Sequence, residues 1–247
     1  MDDVIPMTIT STDIDYYDAA DRLCGVLVRD SSLTGSCPAV ILFHEAWGLN
    51  DYMLRRARMI AELGYVSFAA DVFGERRQMK IPAEALPVTQ SYRDQPATLR
   101  ARANAAFNTL RAQPHVDPKR IAAIGYCFGG TTSLELARSG TDLAAVVSFH
   151  GTLSSRAPID QPGIIKPSIL VCTGADDPMI PPAQVNAFQE EMTKAKADFQ
   201  ILIFGGAVHS FTNPGADSLQ MPGIAYNADA DRRSWSAMQQ LFNEAFA

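Results

Sequence analysis

Residues 121–130 read IAAIGYCFGG, and no other stretch constrains the fold as strongly. A short apolar run ends in Gly125-Tyr126-Cys127-Phe128-Gly129-Gly130, and a helical pattern starts straight after it. A strand that reverses into a helix through a G-x-nucleophile-x-G turn is so tight that the residues two before and two after the central one must be small. Gly125 and Gly129 meet that need, and Cys127 stands where serine more often sits. The turn pushes the sulfur out at the top of a sheet, over a helix N-terminus. There the helix dipole and free backbone N–H groups favour a thiolate. Elsewhere a cysteine reads as a packing residue, because free Cys is among the most buried residue types. This context reverses the reading if an acid and a histidine follow at suitable places.

The rest of the chain supplies a strand–helix rhythm. Two alternating segments, 7–17 and 23–28, flank Asp18-Ala19-Ala20-Asp21 and predict an antiparallel hairpin at a sheet edge. After a Ser/Thr/Gly-rich loop, the apolar run 38–44 predicts a strand buried on both faces. Helix 52–63 follows, with Asp51 as candidate cap and Gly64 as stop, and then strand 65–71. Residues 72–94 are irregular and read as a loop with one short helix, lying over the strand ends. An amphipathic helix over 96–113 places Leu99, Ala103, Ala106, Phe107 and Leu110 on one face, and Asp117-Pro118-Lys119-Arg120 reads as a turn. Helix 128–138 leaves the cysteine turn. Strand 144–149, strand 168–172, helix 183–195, strand 199–204, the loop 205–223 and helix 229–246 complete the series. This alternation predicts βαβ units in a mainly parallel twisted sheet with helices on both faces. With no internal repeat and no Pro/Gly linker, residues 1–247 read as one domain.

Composition removes several functions. The net charge is −6 with scattered acidic residues, so no basic stripe marks a nucleic-acid partner. The opening MDDVIPMTIT lacks a basic and apolar leader, and no apolar run nears the roughly 20 residues that span a bilayer, so a cytoplasmic protein without a membrane partner is expected. Cys24, Cys37, Cys127 and Cys172 form no CxxC pair, so neither a zinc site nor a dithiol motif is expected. Cys24 and Cys172 read as packing residues in strands, and Cys37 as a loop residue.

A cysteine at such a turn needs a base, an acid to orient the base, and donors for an oxyanion. In this architecture the order along the chain is nucleophile, acid, histidine. Of the four histidines, His115 precedes a polar turn and is expected to be exposed. His44 and His150 end strands, but both precede the acid region and break the order. His209 follows the last strand in a glycine-rich loop, where the order puts the base. The acid should follow strand 168–172, where Asp176 and Asp177 both qualify on spacing. The donors are expected to be the backbone N–H of Phe128 and, from the loop after strand 38–44, that of Ala46. Glu45 in that loop should lie close to Cys127. Trp47, Tyr126, Phe128 and Phe211 are neighbours in sequence of these positions and candidates for an apolar pocket.

These residues resemble the dienelactone hydrolase family, a branch of the α/β-hydrolase fold with cysteine at the turn. The resemblance runs from His44-Glu45-x-x-Gly48 through Gly125-Tyr126-Cys127-Phe128-Gly129-Gly130 to His209-Ser210-Phe211. It implies that the acid is Asp177, because Gly174, Asp177 and Pro181 match the family's G-x-x-D-x-x-x-P loop and Asp176 does not. It also implies that Glu45 takes part in forming the thiolate when substrate binds. The implied activity is hydrolysis of an ester or lactone, of the carboxymethylenebutenolidase type, without metal or organic cofactor, in a monomer or homodimer. One position departs from the pattern. Dienelactone-specific members carry an arginine four residues after the histidine, where this chain has Asn213, which cannot form a charge-assisted fork with a carboxylate. Arg76, Arg77 and Arg93, in the irregular segment, are the candidates to replace it. Two other readings stand beside this one: a broad carboxylesterase or thioesterase on the same residues, and, from another class, a redox-sensing thiol, which would need no ordered acid–base pair.

Overall fold

In the computed structural model, which describes residues 7–247, the two alternating segments pair as an antiparallel hairpin. The first six residues, on which the reading of the leader partly rests, lie outside the described residues. Strand β1 (Ile9–Asp18) runs against β2 (Asp21–Asp30), from Ile9 opposite Asp30 to Asp18 opposite Asp21. The apolar runs form the parallel strands that follow: β3 (Cys37–Phe43), β4 (Val66–Ala70), β5 (Val116–Tyr126), β6 (Ala145–Phe149), β7 (Ser168–Gly174) and β8 (Phe199–Phe204). Together the eight strands make one sheet in the order β1-β2-β4-β3-β5-β6-β7-β8. Only β1–β2 and β2–β4 are antiparallel.

Helices cover both faces, which is why the central strands are apolar throughout rather than alternating. On one face, helices α3 (Pro96–Arg111), α4 (Phe128–Arg138) and α5 (Pro182–Lys194) bury Leu99, Phe107, Leu134 and Phe188 against Ile41, Phe68 and Ala123 of the sheet. On the other, α1 (Asp51–Glu62) and α6 (Ala228–Ala245) bury Met53, Ile60, Met238 and Phe242 against Val40, Leu42 and Ile124. The chain leaves β3 toward β4 on one side and reaches β5 on the other. The strand order therefore reverses between β3 and β5, and a crevice forms beyond their carboxyl ends, the usual binding position in such sheets. No helix among the described residues is long and apolar enough to cross a membrane.

Several local expectations are corrected. Asn50, not Asp51, caps α1: its side chain accepts the Met53 N–H at 3.2 Å, and Asp51 is the first helical residue. Both residue types cap well, and the chain direction entering the helix decides between them. The segment 72–94 is more ordered than expected, because α2 (Pro82–Asp94) fills most of it. Pro82 suits the first helical turn, but Pro87 inside the helix and a buried face of only Ala85 and Thr89 leave weak periodicity to read. The Asp117–Arg120 turn belongs to β5, which starts at Val116; the irregularity shows as a register shift between Cys37 and Ala39 of β3. Cys37 accordingly begins β3, its N–H bonded to the His115 carbonyl, rather than lying in a loop. His115 is half-buried rather than exposed, and Cys24 in β2 is also only half-buried.

Candidate active site

The reversal from β5 into α4 has the tightness that its glycines require. Cys127 adopts φ +54°, ψ −115°, a region costly for a side-chain-bearing residue and held only when the surroundings over-determine it. A methyl group on Gly125 would overlap the Gly129 carbonyl, and one on Gly129 would overlap the Phe43 carbonyl of β3. Phe128 opens α4, where a backbone N–H has no carbonyl one turn back to bond. The strands thus deliver Glu45 after β3, Cys127 after β5, His150 after β6, Asp177 after β7 and His209 after β8 to one end of the sheet.

Three of these side chains form a hydrogen-bonded row. His209 Nδ1 lies 2.9 Å from Asp177 Oδ2, and its Nε2 lies 3.1 Å from Cys127 Sγ. Asp177 is buried and its Oδ1 also accepts the Met179 N–H at 2.8 Å, while Asp176 points to solvent. The loop carrying His209 is pinned, its N–H bonding the Gly223 carbonyl and its own carbonyl accepting the Ala225 N–H. Burial opposes charge on both partners of the sulfur–imidazole pair, but their mutual attraction prevails. For Cys127, burial raises the thiol while the His209 charge and hydrogen bond, joined by Arg93, bring it below the usual thiol range. For His209, burial lowers the imidazole, yet the sulfur and Asp177 raise it to about 10. Each partner thereby favours the charged form of the other, thiolate beside imidazolium, and the two titrate as a pair.

Glu45 is buried, with its Oε2 accepting the Asn213 Nδ2–H at 3.0 Å and no partner for its Oε1. Burial pushes its carboxyl up to about 7, against the pull of His209 and Asn213. Its ionisation would oppose the Cys127 thiolate. His44 shapes this turn: Nε2 accepts the Val72 N–H at 3.1 Å, so Nδ1 carries the proton and donates to the Glu45 carbonyl at 2.8 Å. Ala46 and Trp47 lie half-buried in the same loop.

The arginine candidates separate cleanly. Arg76 is committed to Asp13 and to the Cys24 carbonyl, and Arg77 is exposed. Arg93, on α2, borders a cavity of about 510 Å³ together with Thr152, Ser154, Ser155 and Met179. Its Nε is buried without a partner, and its charge reaches Cys127. Two pocket candidates are corrected. Tyr126 is fully buried, stacked on Phe149 at 4.7 Å under α1, and Phe211 is fully buried against His150 and Phe204. Both belong to the core cluster beneath the site that also holds Phe149. Tyr126, the last residue of β5, faces that layer because side chains alternate across a strand. Among the described residues, no group of three or more His, Cys, Asp or Glu is placed to hold a metal ion.

The order along the chain excludes His150 as the base, yet the structure puts it against Cys127. Its Nδ1 is 3.1 Å from the Cys127 backbone N, its Nε2 is 2.8 Å from Thr212 Oγ1, and its ring centroid is 5.2 Å from that of His209. Its position at the end of a parallel strand was the available signal.

The profile of the Dienelactone hydrolase family matches residues 24–246. The solved structure of m3DLH superposes with a TM-score of 0.93 at 43% identity, covering 97% of this chain and 99% of its own. A dienelactone hydrolase-like promiscuous phosphotriesterase, P91 from metagenomic libraries, gives 0.90 at 44% identity over 96% and 98% of the two chains. An uncharacterized protein of Caenorhabditis elegans is 39% identical over 155 residues, 62% of this chain and 98% of its own. The chain belongs to the dienelactone hydrolase family and is a carboxylic ester hydrolase.

Proposed function

We propose that the protein cleaves a small ester or lactone through an acyl-thioester on Cys127. The observation that carries this reading is the unbroken row Asp177–His209–Cys127, with contacts of 2.9 and 3.1 Å. The Cys127 thiolate attacks the carbonyl carbon, and the backbone N–H groups of Phe128 and Ala46 stabilise the oxyanion as it forms. The His209 imidazolium gives its proton to the leaving alkoxide; as the neutral base it then takes one from the water that frees the acid and regenerates the thiolate. Asp177 holds the tautomer that points Nε2 at the sulfur and steadies the imidazolium. Glu45 sets the charge beside the thiol. The single sheet from β1 to β8 supports treating the chain as one domain.

Mixing the protein with an activated ester and quenching in acid within one turnover should give a protein mass increased by one acyl group, with the adduct on the peptide containing Cys127. Turnover with the adduct on another residue, or with none at any quench time, would remove the acyl-thioester.

Asn213 supports a tolerant site. It holds Glu45 with a neutral amide, so no cation stands at that position for a substrate carboxylate. The promiscuity named for the metagenomic relative agrees with this. Neutral esters are therefore substrates, and any preference for a carboxylated one falls to Arg93. Arg93→Ala is expected to lower kcat/KM for a carboxylated ester by about 10- to 100-fold, the worth of one charged hydrogen bond, and for a neutral aryl ester by less than about threefold. Parallel assays of the two substrates check the ratio; an equal loss on both makes Arg93 a general electrostatic group instead.

A further inference from the structure

We propose that His150 is a positioning residue for the nucleophile, a neutral clamp whose two ring nitrogens join the backbone of Cys127 to the loop that carries His209. The proposal rests on the reading of Cys127 and His209 as the reacting pair.

The argument starts from donors and acceptors. The Cys127 N–H is shared between the Phe149 carbonyl at 3.0 Å and His150 Nδ1 at 3.1 Å, both at the end of β6. A ring nitrogen facing an N–H must offer its lone pair, so the proton of His150 is on Nε2 and is donated to Thr212 Oγ1 at 2.8 Å. Thr212 stands three residues after His209 in the same loop. One imidazole therefore spans the two segments whose separation sets the distance from Cys127 Sγ to His209 Nε2.

The far end of the clamp is anchored in turn. Tyr52 of α1 donates its hydroxyl to the Thr212 carbonyl and lies 2.9 Å from Thr212 Oγ1. Arg56 bonds the same carbonyl at 2.6 Å and reaches Asp231 of α6 at 2.5 Å. The Thr212 hydroxyl can accept from His150 and donate to Tyr52, while the Tyr52 oxygen also receives Arg56 Nε–H at 3.2 Å. Every group in the row has a partner of the right kind, the condition under which a buried polar network fixes one geometry.

His150 accepts a cost to be there. Its φ is +42°, unfavourable for any residue with a side chain, and the ring is fully buried. Burial, with the His209 and Arg56 charges, holds it well below the ordinary histidine range, so it stays neutral beside the His209 imidazolium. A second imidazolium would meet the Cys127 N–H donor to donor and repel the first. A ring needed only to fill space would be met by phenylalanine.

The test compares His150→Phe, His150→Asn and Thr212→Val. Asparagine tolerates positive φ and can place an acceptor near the Nδ1 position. Valine keeps the shape of threonine without its hydroxyl. Three readouts apply to each: melting temperature, kcat and KM for an activated ester, and the pH dependence of Cys127 alkylation by iodoacetamide. His150→Phe should lower kcat by about 10- to 100-fold with KM little changed, the loss that follows a misplacement of about an ångström. Its alkylation profile should move to higher pH as the thiol loses the close imidazole. His150→Asn should recover most of kcat. Thr212→Val, folded and with a near-normal melting temperature, should show the same upward shift in smaller degree. A wild-type alkylation profile in folded Thr212→Val, or equal losses in His150→Phe and His150→Asn that track only their melting temperatures, would overturn the clamp. If Cys127→Ala remained active, the reading of the pair itself would fail, whatever the His150 variants did.

Discussion

Cys127→Ala is expected to lower kcat/KM for a small activated ester by about a thousandfold or more while leaving the melting temperature within a few degrees. In the proposed mechanism the sulfur forms the acyl bond, and it lies 3.1 Å from His209 Nε2. Loss of a nucleophile at such a site usually costs about 10³ to 10⁶, and what survives comes from binding and the oxyanion donors. The mutation removes a half-buried side chain at a turn whose shape is set by Gly125 and Gly129, so the fold should persist. The wild-type pH profile carries the same assignment. The thiol lies below its ordinary range and the imidazole is raised to about 10. The rate should therefore rise with pH in a limb below the usual thiol value and fall again near pH 10, as the imidazolium loses the proton the leaving group needs. Both limbs belong to the pair rather than to either residue. Residual activity within tenfold of wild type in Cys127→Ala would place the chemistry on another residue.

Asp177→Asn should cost nearly as much in kcat, about 10³ to 10⁴, with a structure almost unchanged. Asparagine can still accept the Met179 N–H through its oxygen, the bond that Asp177 Oδ1 makes at 2.8 Å. That leaves the amide NH₂ facing His209 Nδ1, where the carboxylate now stands at 2.9 Å. A nitrogen facing a donor must be unprotonated, so the ring proton moves to Nε2 and points at the sulfur. The base then has no lone pair for the deacylating water, and the imidazolium loses the anion that steadies it. Single-turnover kinetics would separate the steps, and an acyl-enzyme that accumulates in the variant is the expected sign. A kcat within tenfold of wild type would mean that the orienting acid lies elsewhere, and Asp176→Asn, on an exposed side chain, is the matched control.

Much of the site was legible because its local requirements are strict. Only small residues fit at Gly125 and Gly129, and the order nucleophile, acid, histidine follows from the order of parallel strands. Where two residues met the same local requirement, spacing could not choose. Asp176 and Asp177 differ by one position, and the backbone turn after β7 sends one to solvent and the other under His209. Tyr126 and Phe211 read as pocket residues because they lie within two positions of Cys127 and His209 in sequence, but closeness along the chain does not fix where a side chain points, and both are buried in the core. Helix α2 leaves little trace in the sequence because it buries only Ala85 and Thr89 and carries an internal proline, Pro87. It nonetheless brings Arg93 to the site.

By itself the sequence determined the βαβ rhythm, the glycine-tight turn that exposes Cys127, and the replacement of a cation by Asn213. These depend on residues within a few positions of one another, where sterics and hydrogen bonding act through the local chain. Spacing left Asp176 and Asp177 open, with only the family resemblance favouring Asp177. The tertiary structure put Asp177 against His209 and decided which arginine faces the thiol and that His150 and Thr212 join two loops 62 residues apart. Those outcomes depend on where the sheet order β4-β3-β5-β6-β7-β8 sets the strand ends side by side, and a pattern read along one strand carries no record of its neighbours.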